Sequence, residues 1–238
     1  MRAVFAPLAF LAPLIVAVAL VTPPGRLASQ APRPSSFQEQ KAKALLRTQL
    51  PCLGCHELDG EGARGGAPSL TDVGSRRSAA YIRAMVDDPQ HVVPGAVMPQ
   101  TPMLPATRDA IVGYLARAAA PGLPPAPPPQ GRQFKLQTRD LYIRWCEQCH
   151  GHNGDGDGPN AQYLPVPPAV HHDSVKMSAR SDDALYDVIA AGGLAYGKSP
   201  RMPAFGATLS DAEIRALVAH IRSLCNCQGP AWSRRVRK

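Results

Sequence analysis

The chain has 238 residues, six cysteines, 5% aromatic side chains and a formal net charge of +8. Its excess positive charge lies on the ends and linkers, since residues 38–119 hold 9 basic against 8 acidic side chains and residues 135–227 hold 9 against 10. With no basic stripe and no interleaved aromatics, composition argues against a nucleic-acid partner.

Arg2 precedes an apolar stretch from Ala3 to Val21. Residues 1–29 are therefore expected to be a signal peptide or an N-terminal membrane anchor. Ala17-Val18-Ala19 fits a small-x-small cleavage pattern, as does a later site around Ala28-Ser29-Gln30. Pro7 and Pro13 weaken the stretch as a spanning helix. Both readings place the rest of the chain in the periplasm, free or membrane-anchored.

A linker over residues 30–36 leads to a helix expected from Phe37 to Thr48, capped by Ser35 or Ser36. Residues 57–76 read as a loop. Ser78 then caps a helix carrying Tyr81, Ile82, Met85 and Val86, which Asp88-Pro89 ends. A proline-punctuated loop runs to Met98-Pro99. Thr107 is expected to cap a last helix with Ile111, Val112, Leu115 and Ala118 inward. Residues 120–134 form a Pro-rich linker.

The order then repeats. A helix is expected from Thr138 to Trp145, followed by a Gly- and Asp-rich loop from Gly151 to Pro159. Ser181 caps a helix carrying Leu185, Tyr186, Val188 and Ile189, which Gly192-Gly193 stops. Met202-Pro203 precedes Ser210-Asp211-Ala212-Glu213, a capping box opening a helix with Ile214, Leu217, Val218, Ile221 and Leu224 inward. Strand-like alternation is not evident, so the expected class is all-α. Its domains are residues 37–119 and 135–227, with a basic tail at 228–238. That tail and the N-terminus are the two candidates for membrane association.

Each unit contains one C-x-x-C-H sequence: Cys52-Leu53-Gly54-Cys55-His56 and Cys146-Glu147-Gln148-Cys149-His150. The spacing reads as covalent haem attachment. Two cysteines three apart can each add to one haem vinyl group, and the adjacent histidine is then held under the iron. Two copies imply two covalently attached haem c groups. A domain this small buries a limited core, and a haem would add a large apolar surface at its centre.

The shared order of helix, C-x-x-C-H, loop, helix, Met-Pro loop and helix resembles two class I cytochrome c domains in tandem. The resemblance covers nearly all of residues 37–226. It implies His56 and His150 as proximal iron ligands, with Met98 and Met202 as distal ligands 42 and 52 positions further on. Met103, five residues past Met98, is the rival in the first unit. In the family a proline carbonyl orients the proximal imidazole, which points to Pro68 and Pro168. Met85 and Met177 read as core.

The remaining histidines, His91, His152, His171, His172 and His220, read as loop or surface groups. Any of them could instead replace a methionine, with His171-His172 the pair to watch. Gly154-Asp155-Gly156-Asp157-Gly158 hints at calcium but lacks the spaced ligands of an EF-hand, so a turn is expected. Cys225 and Cys227 have no part in haem attachment. An i, i+2 disulfide between them would be strained.

The resemblance implies an electron carrier, not an enzyme, relaying electrons between a redox-protein donor and acceptor. Alternatives are a subunit of a larger dehydrogenase or quinol-oxidising complex, or a dihaem enzyme such as a peroxidase or thiosulfate oxidant. The distal ligands decide among them, because an open iron position is what such catalysis requires.

Overall fold

The computed structural model describes residues 34–64, 66–119, 122–125, 127 and 138–233. The expected signal or anchor, most of the Pro-rich linker and the tail from residue 234 lie outside these. No helix among the described residues is long and apolar enough to cross a membrane.

In the first half, α1 spans Ser36–Thr48 and starts at a capping box between Ser35 and Gln38. Such a cap supplies about 1 kcal/mol by satisfying amide groups that the first turn leaves unpaired. After a short α2 (Val73–Arg76), Ser78 caps α3 (Ala79–Asp87) by accepting from the Tyr81 amide. Pro89 then opens a separate turn, α4 (Pro89–Val92). The last helix, α5 (Pro105–Leu115), packs on both α1 and α3. Leu46, Ile82, Ile111 and Tyr114 meet in the core between them.

The second half follows the same plan. It has α6 (Thr138–Trp145), α7 (Glu147–His150), α8 (Ser174–Ser178), α9 (Asp182–Ala191) and α10 (Asp211–Leu224). Ser181 caps α9, and a Ser210–Glu213 capping box opens α10. Both α6 and α9 pack on α10. Its face of Ile214, Leu217, Val218 and Ile221 is buried against Leu141, Tyr142 and Met177. A first helix laid against a last helix thus recurs in both halves.

Several expectations need correcting. Residues 57–62 contain a small antiparallel hairpin, β1 (Glu57–Leu58) and β2 (Glu61–Gly62), where a loop was expected. Asp59 and Gly60 turn it, with φ of 51° and 85°. Successive left-handed residues match the twist of paired strands, so Asp-Gly favours this turn. Thr107 does not cap α5. The helix begins two residues earlier at Pro105, whose fixed φ and missing amide suit a first helical position. Ala118 lies beyond α5 and is exposed, and of the expected face of α3 only Ile82 is buried. Cys225 and Cys227 are joined as a disulfide at the end of α10, with Asn226 at φ 45° between them.

The described residues form one compact unit. Within it the halves meet through named hydrogen bonds. Arg201 donates to the carbonyls of Leu46 (2.9 Å), Arg47 (2.7 Å) and Leu50 (3.2 Å) at the end of α1. Arg144 on α6 donates to Gly95 (2.6 Å) and Ala96 (3.2 Å). The amide of Gln100 reaches the Thr208 hydroxyl at 2.8 Å. Buried Asn160 donates from its side chain to the Gly54 carbonyl at 3.1 Å.

Candidate haem sites

Both C-x-x-C-H segments are wound into one helical turn. In the first, the Cys52 carbonyl accepts from the amides of Cys55 (3.2 Å) and His56 (2.8 Å). In the second, the Cys146 carbonyl accepts from Cys149 (3.1 Å) and His150 (2.9 Å). This turn sets each cysteine pair on one side with the histidine beside it. All four cysteines are unbonded. Burial pushes the Cys52 thiol up to about 11 and the Cys146 and Cys149 thiols up to about 12, and it also raises Cys55. The sulfurs are therefore neutral thiols near neutral pH, unlike the activated thiolates of redox dithiols.

Each histidine is oriented from behind. His56 Nδ1 lies 2.7 Å from the Pro68 carbonyl. A carbonyl only accepts, so Nδ1 carries the proton and Nε2 keeps its lone pair. Desolvation lowers both imidazole pKa values, against the opposing pull of the carbonyl, which keeps the rings neutral. The hairpin positions Pro68. The Glu57 carboxylate accepts from the Ser69 hydroxyl and the Gly60 amide, and the Leu70 amide donates to the Glu57 carbonyl at 2.8 Å.

At the second site His150 Nδ1 faces the carbonyl of Ala169 at 2.9 Å, not that of Pro168. The Pro168 carbonyl points instead at Gly156, where an added Cβ would stand 3.2 Å from it. Pro168 thus closes the glycine-rich loop and its successor orients the ring. Two adjacent prolines in a repeat of unequal loop length gave no register to separate these carbonyls.

The methionine loops are held differently. Met202 packs against the second core, and its carbonyl accepts from the Gly193 amide at 3.0 Å. A Cβ on Gly193 would lie 2.3 Å from the Ser199 carbonyl, so only glycine admits the loop this close. In the first half the Met98 carbonyl accepts from the side-chain amide of buried Gln90. Met103 packs against the first core and lines a pocket with Val86 and Arg108. Met177 is fully buried, and Met85 is half-buried on α3.

His171 lies in a turn, as expected, but is buried and not at the surface. Its ring stacks on His150 with centroids 4.1 Å apart at 13°. His171 Nδ1 is 3.0 Å from the Tyr142 hydroxyl, and burial drives its pKa well down. His172 pairs with Asp155 at 2.6 Å and His152 with Glu147 at 3.3 Å. His91 stands against Asp88, and His220 lies beside the Tyr142 ring. The Gly154–Gly158 segment is a turn with Gly154 and Gly156 at positive φ. No group of three metal-binding side chains occurs among the described residues.

The donor set of unbonded cysteine pairs and neutral imidazoles with free Nε2 fits one covalently attached haem at each motif. The family model described as "Cytochrome c" matches residues 39–119. The model described as "Cytochrome C oxidase, cbb3-type, subunit III" matches residues 136–221. The chain is a c-type cytochrome, built of two cytochrome c domains in tandem. Such domains bind haem c covalently and transfer electrons. A solved chain of the Kuenenia stuttgartiensis reducing HAO-like protein complex is similar at 19% identity and a TM-score of 0.32, over 82% of this chain and 99% of that one. No curated protein matches.

Proposed function

We propose that this chain is an exported dihaem electron carrier of the periplasm. The observation that carries the reading is the duplicated construction, with each C-x-x-C-H turn presenting two thiols beside an imidazole whose Nδ1 is fixed on a carbonyl. When bound, each haem supplies an iron that exchanges one electron between its ferric and ferrous states. Cys52 with Cys55, and Cys146 with Cys149, are the thioether donors. His56 and His150 would hold the iron through Nε2. Met98 and Met202 would hold it through a soft thioether sulfur, which would favour the ferrous form and raise the potential.

Met98 is preferred to Met103 because it is followed by a proline, as Met202 is in the second half. With a histidine and a methionine both holding each iron, no position would remain for a substrate, and the reading is therefore a carrier and not an enzyme. Export is supported by the apolar stretch from Ala3 to Val21, and by the Cys225–Cys227 disulfide, which suits an oxidising compartment. The partners are a redox-protein donor and acceptor.

The match of the second half to an oxidase cytochrome subunit favours a second reading, in which the chain is an electron-transfer subunit of a larger respiratory complex. Purification from membranes in mild detergent separates the two, since a free carrier elutes alone. The carrier reading itself is tested by haem quantification and absorption spectroscopy of the purified protein. Two haems per chain with a sulfur-to-iron charge-transfer band are expected. A single haem, or no such band, would overturn it.

A further inference from the structure

We propose that each half of the chain positions the methionine loop of the other. This rests on the reading of Met98 and Met202 as distal ligands.

The contacts between halves concentrate on those two loops. Arg144 belongs to α6 of the second half, two residues before Cys146. Its guanidinium holds the carbonyls of Gly95 and Ala96, three and two residues before Met98 in the first half. The reciprocal contact is at Arg201, next to Met202. Its guanidinium enters the first half and takes the carbonyls of Leu46 and Arg47 in the last turn of α1 and that of Leu50 just beyond it, two residues before Cys52. The last carbonyls of a helix lack intrahelical partners and carry partial negative charge, so they form a natural seat for a cation. Arginine offers five donors in a rigid fork and can satisfy several at once, where lysine would be a single mobile point.

Two further contacts tie the arrangement together. A Cβ on Gly54, inside the first C-x-x-C-H turn, would lie 2.7 Å from the Arg201 carbonyl, so the Met202 loop rests directly on that turn. The Gln100 amide, two residues after Met98, donates to the buried Thr208 hydroxyl, six residues after Met202. Each methionine loop therefore leans on the attachment end of the opposite half, and the two loops are hydrogen-bonded to each other. Arg144 and Arg201 are positioning residues.

The consequence is a cross-effect that a purely local role would not produce. In the full-length Met202→Ala protein, the remaining sulfur-to-iron band belongs to the first half. Adding Arg144→Gln, a change in the second half, removes most of that band and lowers the midpoint potential of the first haem. In the Met98→Ala protein the same change leaves the Met202 band in place. Arg201→Gln is the independent second variant, and it is expected to remove the Met202 band while two haems per chain are retained. The proposal is overturned if Arg144→Gln leaves the band and first-haem potential of the Met202→Ala protein unchanged, or if Arg201→Gln leaves the Met202 band intact. Absence of the band from the unaltered protein would instead count against the axial reading on which the proposal rests.

Discussion

His56 donates to Pro68 on a loop braced by a hairpin, whereas His150 donates to Ala169 and also carries the stacked ring of His171. The Met98 loop hangs from one buried glutamine side chain, whereas the Met202 loop is pinned by Gly193 and packs on the core. The two C-x-x-C-H turns share the same hydrogen-bond pattern, and the halves diverge in what surrounds the histidines and in how the methionine loops are held. The Met202 loop has more support from within its own half, and both loops also bear on the opposite half.

The largest expected effect is on haem content. Replacing Cys52 and Cys55 by alanine, or Cys146 and Cys149, should each leave one haem per chain by haemochrome assay. Equal loss from either pair sharpens the view that the turns are equivalent, and full retention in either breaks it. Next come the methionines. Met202→Ala and Met98→Ala should each remove one haem's share of the sulfur-to-iron band and lower that haem's potential, while Met103→Ala should leave both bands. Loss of a band in Met103→Ala, with Met98→Ala silent, would transfer the ligand role to Met103.

Core truncations separate the halves by burial. Met177 is fully buried, so Met177→Ala should cost about 2–5 kcal/mol, read by denaturant unfolding. Met103 is only partly buried, and Met103→Ala should cost about 1–2 kcal/mol. The smallest effects are at the caps. Ser210→Ala and Ser35→Ala each remove one capping box, and each should cost about 1 kcal/mol. A cost near zero at Ser35 would mark α1 as the less cooperative helix.

Much of this was legible in the residues because it depends on short-range chemistry. Ser35, Ser78, Ser181 and Ser210 announce helix starts through side-chain oxygens that reach amides three residues on. The C-x-x-C-H turns, the Met202-Pro203 loop and the buried face of α10 follow from spacing alone. The hairpin carried a readable signal, Asp59-Gly60, which the absence of flanking alternation concealed. Pro105 likewise marked the start of α5 better than Thr107 did.

What was not legible is tertiary. Nothing local distinguishes the carbonyl of Ala169 from that of Pro168, because the choice depends on which one the loop past Gly156 turns toward His150. His171 looks like any loop histidine until α6 brings Tyr142 to it. Asn160, Arg144 and Arg201 are ordinary polar residues in sequence. Their partners lie 106, 48–49 and 151–155 residues away. No periodicity or motif reports such a pairing.

The central claim is that both halves hold a haem with a filled His/Met shell. Low-temperature EPR of the fully oxidised protein, with spins integrated against the chain concentration, tests it most directly. Two low-spin ferric signals integrating to two spins per chain are expected. A high-spin ferric signal, or an integral of one spin, would contradict it.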